Sequence, residues 1–508
     1  MAMKYTKTAA FICALLVCSG GLSQAADKKS DNVLPQRFSD AMTWNLQNRP
    51  QDITVTKVAV PVESSSHSGT SQGTQPANGM PPAPPSGDGT MTPPPGGFNP
   101  PDHVTQGTAA RNITENTTIA DQVFGSTGDD ENALRITGAS VTLKEVSIDK
   151  QEGKSSSTEG GDFYGMNAAL LATDGAQVTI EDSTVHSSAA NGNGLFSYGK
   201  GTKMMAKNVT ITTTRHNSGG IQTTGGGETE AENLTVATSG DSSAAIRSDR
   251  GGGTVRVKGG TFVTAGHGSP AIYSTADIGV EGAALKALHS EGAVIEGKNK
   301  ISLKNCSLEG SMDSTRVMGQ QTIREENVHT VMIYQSMSGD AEQGESSFSM
   351  EGGSLTSHKG DVIYVTNTDC AIHLDNVKIK NEDNDGAFLR VAGNSASRGW
   401  GKAGSNGGKA AFTADHQKLD GTIAVDTISR LTMTLGQGST WKGQAEILSN
   451  EKGTSNDAGI YLTIAKGAQW DLTGDSTVTT LDNKGKINTH GYRLTVLKKI
   501  NRAHKKHR

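Results

Sequence analysis

After Pro101 this chain contains a single proline, Pro270, although the whole sequence has 14. Eleven of them crowd into Pro61–Pro101, in "PVESSSHSGTSQGTQPANGMPPAPPSGDGTMTPPPGGFNPP". A stretch so rich in Pro, Gly and Ser cannot bury enough apolar surface to offset its chain entropy, so residues 61–105 are expected to form a disordered linker. Long apolar runs are scarce too. The only one, Ala9–Val17, is too short to cross a bilayer, which excludes a transmembrane segment in the mature chain. Lys4 and Lys7 precede that run and Ser23-Gln24-Ala25 follows it, the pattern of a secretory signal peptide cut after Ala25. Val17 is bulky where a lipid-anchor site at Cys18 takes a small residue.

Cysteine is sparse. Of four, Cys13 and Cys18 leave with the signal, so only Cys306 and Cys370 remain in an oxidising compartment. A surplus of positive charge is also lacking, since without Lys4 and Lys7 there are 45 basic against 52 acidic residues, a formal charge of −7. That excludes a general nucleic-acid binder and predicts no specific nucleic-acid partner. Aromatics make up 4 % of the chain, whereas glycine reaches 63 residues, the balance of many tight turns and small side chains.

What is present is a repeat with a period near 25 residues, and it decides the fold. Each unit opens with a short apolar strand, "NAALLA", "NGLFSY", "SGGIQT", "SAAIRS", "SPAIYS", "GAVIEG", with expected anchors at Leu170, Phe196, Ile221, Ile246, Ile272 and Ile295. A second run alternates with period two, as in "VTIEDSTV", "MMAKNVTI", "VRVKGGTF" and "ISLKNCSL". Its first position reads Val178, Met204, Thr229, Val255, Ile278, Ile301, Phe348 and Ile372, and its eighth reads Val185, Ile211, Val236, Phe262, Leu285, Leu308, Leu355 and Ile379. Both are inward columns. The fifth reads Asp182, Asn208, Asn233, Gly259, Gly282, Asn305, Gly352 and Asn376, the residue types that tolerate a left-handed backbone, so a corner is expected there in every unit. No convincing segment with a 3.6-residue period interrupts the repeat.

The expected fold class is all-β: a right-handed parallel β-helix of roughly 11 to 12 coils stacked about 4.8 Å apart. The expected division is a signal peptide at 1–25, a short segment at 26–60 with one strand-like run at "DITVTKVAVPV", the linker at 61–105, the β-helix at 106–497 and a basic tail at 498–508. Cys306 and Cys370 fall two coils apart, about 9 to 10 Å, too far for a disulfide.

These coils, decorated with Thr, Ser, Asn and Gly, resemble the adhesin-like right-handed β-helix proteins of bacteria and, in general shape, autotransporter passenger domains. The resemblance covers roughly Ala133 to Leu497. It implies an exported protein, extracellular, at the cell surface or in the periplasm, that binds a glycan or a host- or cell-surface ligand and needs no cofactor. A C-terminal membrane barrel of alternating strands is not seen, so self-translocation is not expected.

Polygalacturonase-type hydrolases share the fold, and Asp129-Asp130, Gly266-His267-Gly268 and Asn367-Thr368-Asp369 echo their motifs. The order differs and the segments lie several coils apart, so turn chemistry explains them. The residue after each anchor should face outward, giving Ser197, Gln222, Arg247, Tyr273, Glu296, Tyr334 and Tyr364 in one column. Asp249 and Lys298 join a second column three places after the anchors. The candidate ligand-binding residues are therefore Gln222, Arg247, Asp249, Tyr273, Glu296, Lys298, Tyr334 and Tyr364, on a flat face whose tyrosines can stack on sugars. An ordinary solvated sheet face has the same composition. Two alternatives remain open: a polysaccharide hydrolase or lyase using Asp249 and Glu296, two coils apart, and a purely structural stalk.

Overall fold

The computed structural model describes residues 104–318 and 321–498. The signal-like segment, the strand-like run, all but the end of the linker and nearly all of the basic tail lie outside the described residues.

Each coil contributes one strand to each of three parallel sheets, of 13, 14 and 10 strands, and a four-stranded sheet continues the third side through the last coils. The result is a right-handed parallel β-helix, somewhat longer than the 11 or 12 coils expected because the irregular closing segments also complete turns of the stack. Parallel neighbours in every sheet are one coil apart in sequence, so the backbone groups of each strand bond to the coils above and below.

The inward columns of the second and third sheets fall where the eight-residue pattern puts them. Val178, Met204, Thr229, Val255, Ile278, Ile301, Phe348 and Ile372 stack in register, as do Val185, Ile211, Val236, Phe262, Leu285, Leu308, Leu355 and Ile379. Each fully buried Leu, Ile or Phe contributes about 1.5–3 kcal/mol of transfer free energy, and together they make one continuous core.

The corner between these two sheets has two residues in eleven successive coils, from Asp121-Gln122 to His416-Gln417. Its first residue is always left-handed, with φ of 51° at Asp182, 52° at Asn208, 66° at Gly259 and 53° at Asn376. Asn208 donates from Nδ2 to Asp182 Oδ1 at 2.9 Å, one link of the expected side-chain ladder. Cys306 fills the second corner position and is buried, as is Cys370, and both are free thiols.

The first sheet departs from expectation in its register. Leu195, not Phe196, pairs with both Leu170 and Ile221, and Ala293, not Ile295, pairs with Ile272. One helix also breaks the all-strand reading of this region, Thr158–Tyr164, capped by the Ser157 hydroxyl on Gly160 N and ended by left-handed Gly165.

Candidate functional site

Among the described residues long corners occur on only one side of the molecule, since the corner between the second and third sheets has two residues or, at 436–439 and 465–468, four. The two corners that flank the first sheet hold the long insertions 151–169, 311–328, 335–344 and 392–408. They fold over the outward side of that sheet, so the expected flat, open face is a covered one. Gln222 is 0 % exposed, Glu296 1 %, Asp249 5 % and Arg247 9 %.

Because the register differs, the two outward columns also differ from expectation. One runs through Leu171, Phe196, Gln222, Arg247, Tyr273, Val294, Met332 and Tyr364. Glu296 and Tyr334 pair with each other in the second column, and Ser197 pairs with Thr223 on the inner side. Lys298 lies past its strand, in the exposed corner beside Glu342.

Two polar clusters lie under the cover. In the first, Arg247 sits between two carboxylates, with Nε 2.7 Å from Asp249 Oδ2 and a terminal nitrogen 3.2 Å from Asp162 Oδ2 on the helix. Gln222 Nε2 donates to the Asp162 carbonyl at 2.8 Å and to Asp249 Oδ2 at 3.1 Å, and the Thr224 hydroxyl donates to the Phe163 carbonyl at 2.6 Å. The short helix is thus tied down through its last residues.

The second cluster gathers on Glu296, which accepts from the hydroxyls of Tyr273, Ser336 and, at 3.0 Å, Tyr334. Ser336 and Ser338 lie 2.6 Å apart, and the Ser338 hydroxyl donates to Asp340 Oδ2 at 2.8 Å. Arg250 then joins the clusters: its guanidinium is 2.7 Å from Asp340 Oδ1 and 4.1 Å above the Phe163 ring. Tyr273, Glu296 and Tyr334 are therefore brought together, but around a buried carboxylate rather than in an open row. Tyr364 lies against His329, ring centroids 5.3 Å apart, in the same apolar cluster as Tyr334 but without a bond to Glu296.

Toward the 392–408 insertion the cover becomes aromatic. Trp400 lies 4.9 Å from Tyr334 between ring centroids, partly exposed, with the Arg398 guanidinium 4.6 Å from its ring. Asp162, Arg250, Ser336, Asp340 and Trp400 were all missed by the strand-alternation argument, since each lies in an insertion or a corner. The segments "GSMDSTRVMGQQTIREENVH" and "AGNSASRGWGKAGSNGGK" stand out as insertions, but nothing in them says which face they cover.

Burial pushes the carboxyls of Asp249 and Asp162 up, against the pull of Arg247 between them, and Asp249 reaches about 7. Glu296 is also raised by burial, against its three hydroxyl donors. For hydrolysis, Asp249 and Glu296 would have to meet a substrate, and both are closed off by the insertions. The hydrolase-like segments are turns: Asp130, Gly268 and Asn367 are left-handed, with φ of 52°, 58° and 54°. Among the described residues no group of three or more His, Cys, Asp or Glu side chains is placed to hold a metal ion, and no helix is long and apolar enough to cross a membrane.

The titration of Asp249 gives a signed expectation. A carboxyl raised in the folded state favours folding while it is protonated, so its contribution is present below the ordinary Asp range and is lost as pH rises through about 7. Glu291 has the opposite sign: its carboxylate faces His329 at 3.6 Å and is held near 2 against its burial, so its contribution is lost as pH falls from the ordinary Glu range toward 2. Urea midpoints measured against pH should lose part of their neutral-side decline in Asp249→Asn and part of their acid-side decline in Glu291→Gln. No protein family, curated protein or solved structure matches this chain.

Proposed function

We propose that this protein is an exported, non-enzymatic β-helix with an adhesin-like role, which takes a glycan or a host- or cell-surface ligand on the insertions over its first sheet. One observation supports this reading above the others. Among the described residues every insertion of ten residues or more lies in a corner flanking one sheet, while the opposite corner keeps two residues for eleven coils and never exceeds four. A plain stalk has no use for such asymmetry, whereas a recognition surface grows from loops held by a rigid scaffold. The contact region moves accordingly from the covered Gln222, Arg247, Asp249 and Glu296 to the rim, where Trp400, Arg398, Lys298 and Tyr273 keep some exposure. A partly exposed indole beside a guanidinium suits the apolar face and the hydroxyls of a sugar ring. The N-terminal Lys4–Ala25 pattern supports export.

The test is a glycan array probed with the full chain and with Trp400→Ala and Arg398→Ala. Binding by the parent that falls at least about tenfold in Trp400→Ala is expected, the size of losing one buried aromatic contact. Binding that is absent from the whole panel, or is unchanged in both variants, overturns the reading. So does release of new reducing ends from any bound polysaccharide.

A further inference from the structure

The outward side of the second sheet contrasts with that of the first, since among the described residues no insertion covers it. Its last outward column alternates in charge without a break: Lys144, Glu181, Lys207 and Glu232 on four successive strands, then Lys258, Glu281, Lys304 and Glu351 on the next four. Neighbours pair within the stack, at 3.4 Å for Lys144–Glu181 and 3.6 Å for Lys207–Glu232. These pairs are solvent-exposed, with side-chain exposures of 52 % at Lys144 and 48 % at Glu232, so each contributes little on its own.

An even number of alternating charges has a second property: read backwards, it is complementary to itself. Consider a two-fold axis parallel to the strands, passing between Gly227–Glu232 and Gly253–Lys258. It lays a second copy face to face with its rod reversed and sets every outward column opposite itself in reverse order. Glu232 then faces Lys258 of the other copy, Lys207 faces Glu281, Glu181 faces Lys304 and Lys144 faces Glu351. The other two columns were free to clash under this operation, and they do not. Lys203 meets Asp277, Glu230 meets Arg256, and Met205, 41 % exposed, comes over Gly279, which has no side chain. Like charges face each other at none of these positions.

We propose that this face is the contact surface for a second copy of the chain, in an antiparallel two-fold dimer. Eight strands about 4.8 Å apart and five residues of about 3.4 Å each give a patch of about 600 Å² per copy. Doubled, that reaches the lower end of specific interfaces, about 1,200 Å². The roofed side points away from the partner, so both copies keep their insertions free.

Sedimentation velocity of the full chain should find a dimer at about 0.05 M salt that dissociates near 0.5 M, where screening is short-ranged. Lys207→Glu should yield monomer, and Lys207→Glu/Glu281→Lys should restore the dimer. The double reversal makes the ladder within each chain worse than the single one, so rescue can come only from pairing across copies. For an independent readout, Lys203→Cys/Asp277→Cys should be joined into a covalent dimer by a short bifunctional thiol reagent matched to sheets about 10 Å apart face to face, and neither single variant should. Within one chain these positions are three coils apart, about 14 Å, beyond the reach of that reagent. A parent that stays monomeric at low salt, a Lys207→Glu dimer, a folded double reversal that stays monomeric, or no cross-link in the cysteine pair overturns the proposal.

Discussion

Arg247→Met is expected to cost about 3–5 kcal/mol of stability, the usual price of leaving a buried charge without its partner. The guanidinium lies between Asp162 and Asp249 and pairs with both, and the three side chains are 7 to 12 % exposed. Methionine keeps much of the volume but leaves two facing carboxyls, of which one must take up a proton. The loss should appear first in the helix Thr158–Tyr164, which is bound to the first sheet through Asp162 and through the Phe163 carbonyl. Hydrogen exchange should therefore quicken across 151–169 before it does in the second sheet. A loss below about 1 kcal/mol would mean that the cluster behaves like an exposed ion pair.

Trp441→Ala is expected to destabilise the closing coils by a similar amount, about 3–5 kcal/mol, as for other large aromatics removed from a packed core. The indole is fully buried and stacks on Trp470 with centroids 4.5 Å apart and planes within 5°. Each indole N–H reaches one coil back, Trp441 to the Gly421 carbonyl and Trp470 to the Gly443 carbonyl, both at 3.0 Å. Truncation thus removes packing, opens a cavity and orphans a carbonyl. Because each coil touches only its neighbours, the effect should be local. Amide exchange should rise in Lys418–Asp420, Thr440–Gly443 and Gln469–Leu472 and stay unchanged around Val178 and Met204. Uniform loosening along the rod would contradict that picture of stability.

Most of the β-helix was legible because the second and third sheets obey one rule. Their strands alternate, the corner between them is short, and its first residue is of the Asn, Asp or Gly type often enough to align the repeats by eye. The first sheet was misread for a physical reason. Alternation identifies the core side only when the other side meets water, and here the insertions make both sides apolar. Leu171, Phe196, Val294 and Met332 point away from the core and are still buried, so Phe196 looked like an anchor. The same cover explains why Gln222, Arg247, Asp249, Glu296 and Tyr334 fall on one side as expected but are not open. Their partners Asp162, Ser336 and Asp340 come from insertions with no period to read. The helix was invisible for a similar reason: seven residues make two turns, too few for an amphipathic pattern, and only Ser157 and Gly165 mark its ends.

The two-residue corner, kept through eleven coils, has a consequence for how such a rod can change. Adding one residue there would reverse the parity of the following strand and turn its Val, Ile or Leu out of the core, whereas whole coils can be gained or lost without disturbing that parity. At the two opposite corners a graft of any length leaves the frame intact, so the molecule can acquire new specificity along one flank while its spine stays the same.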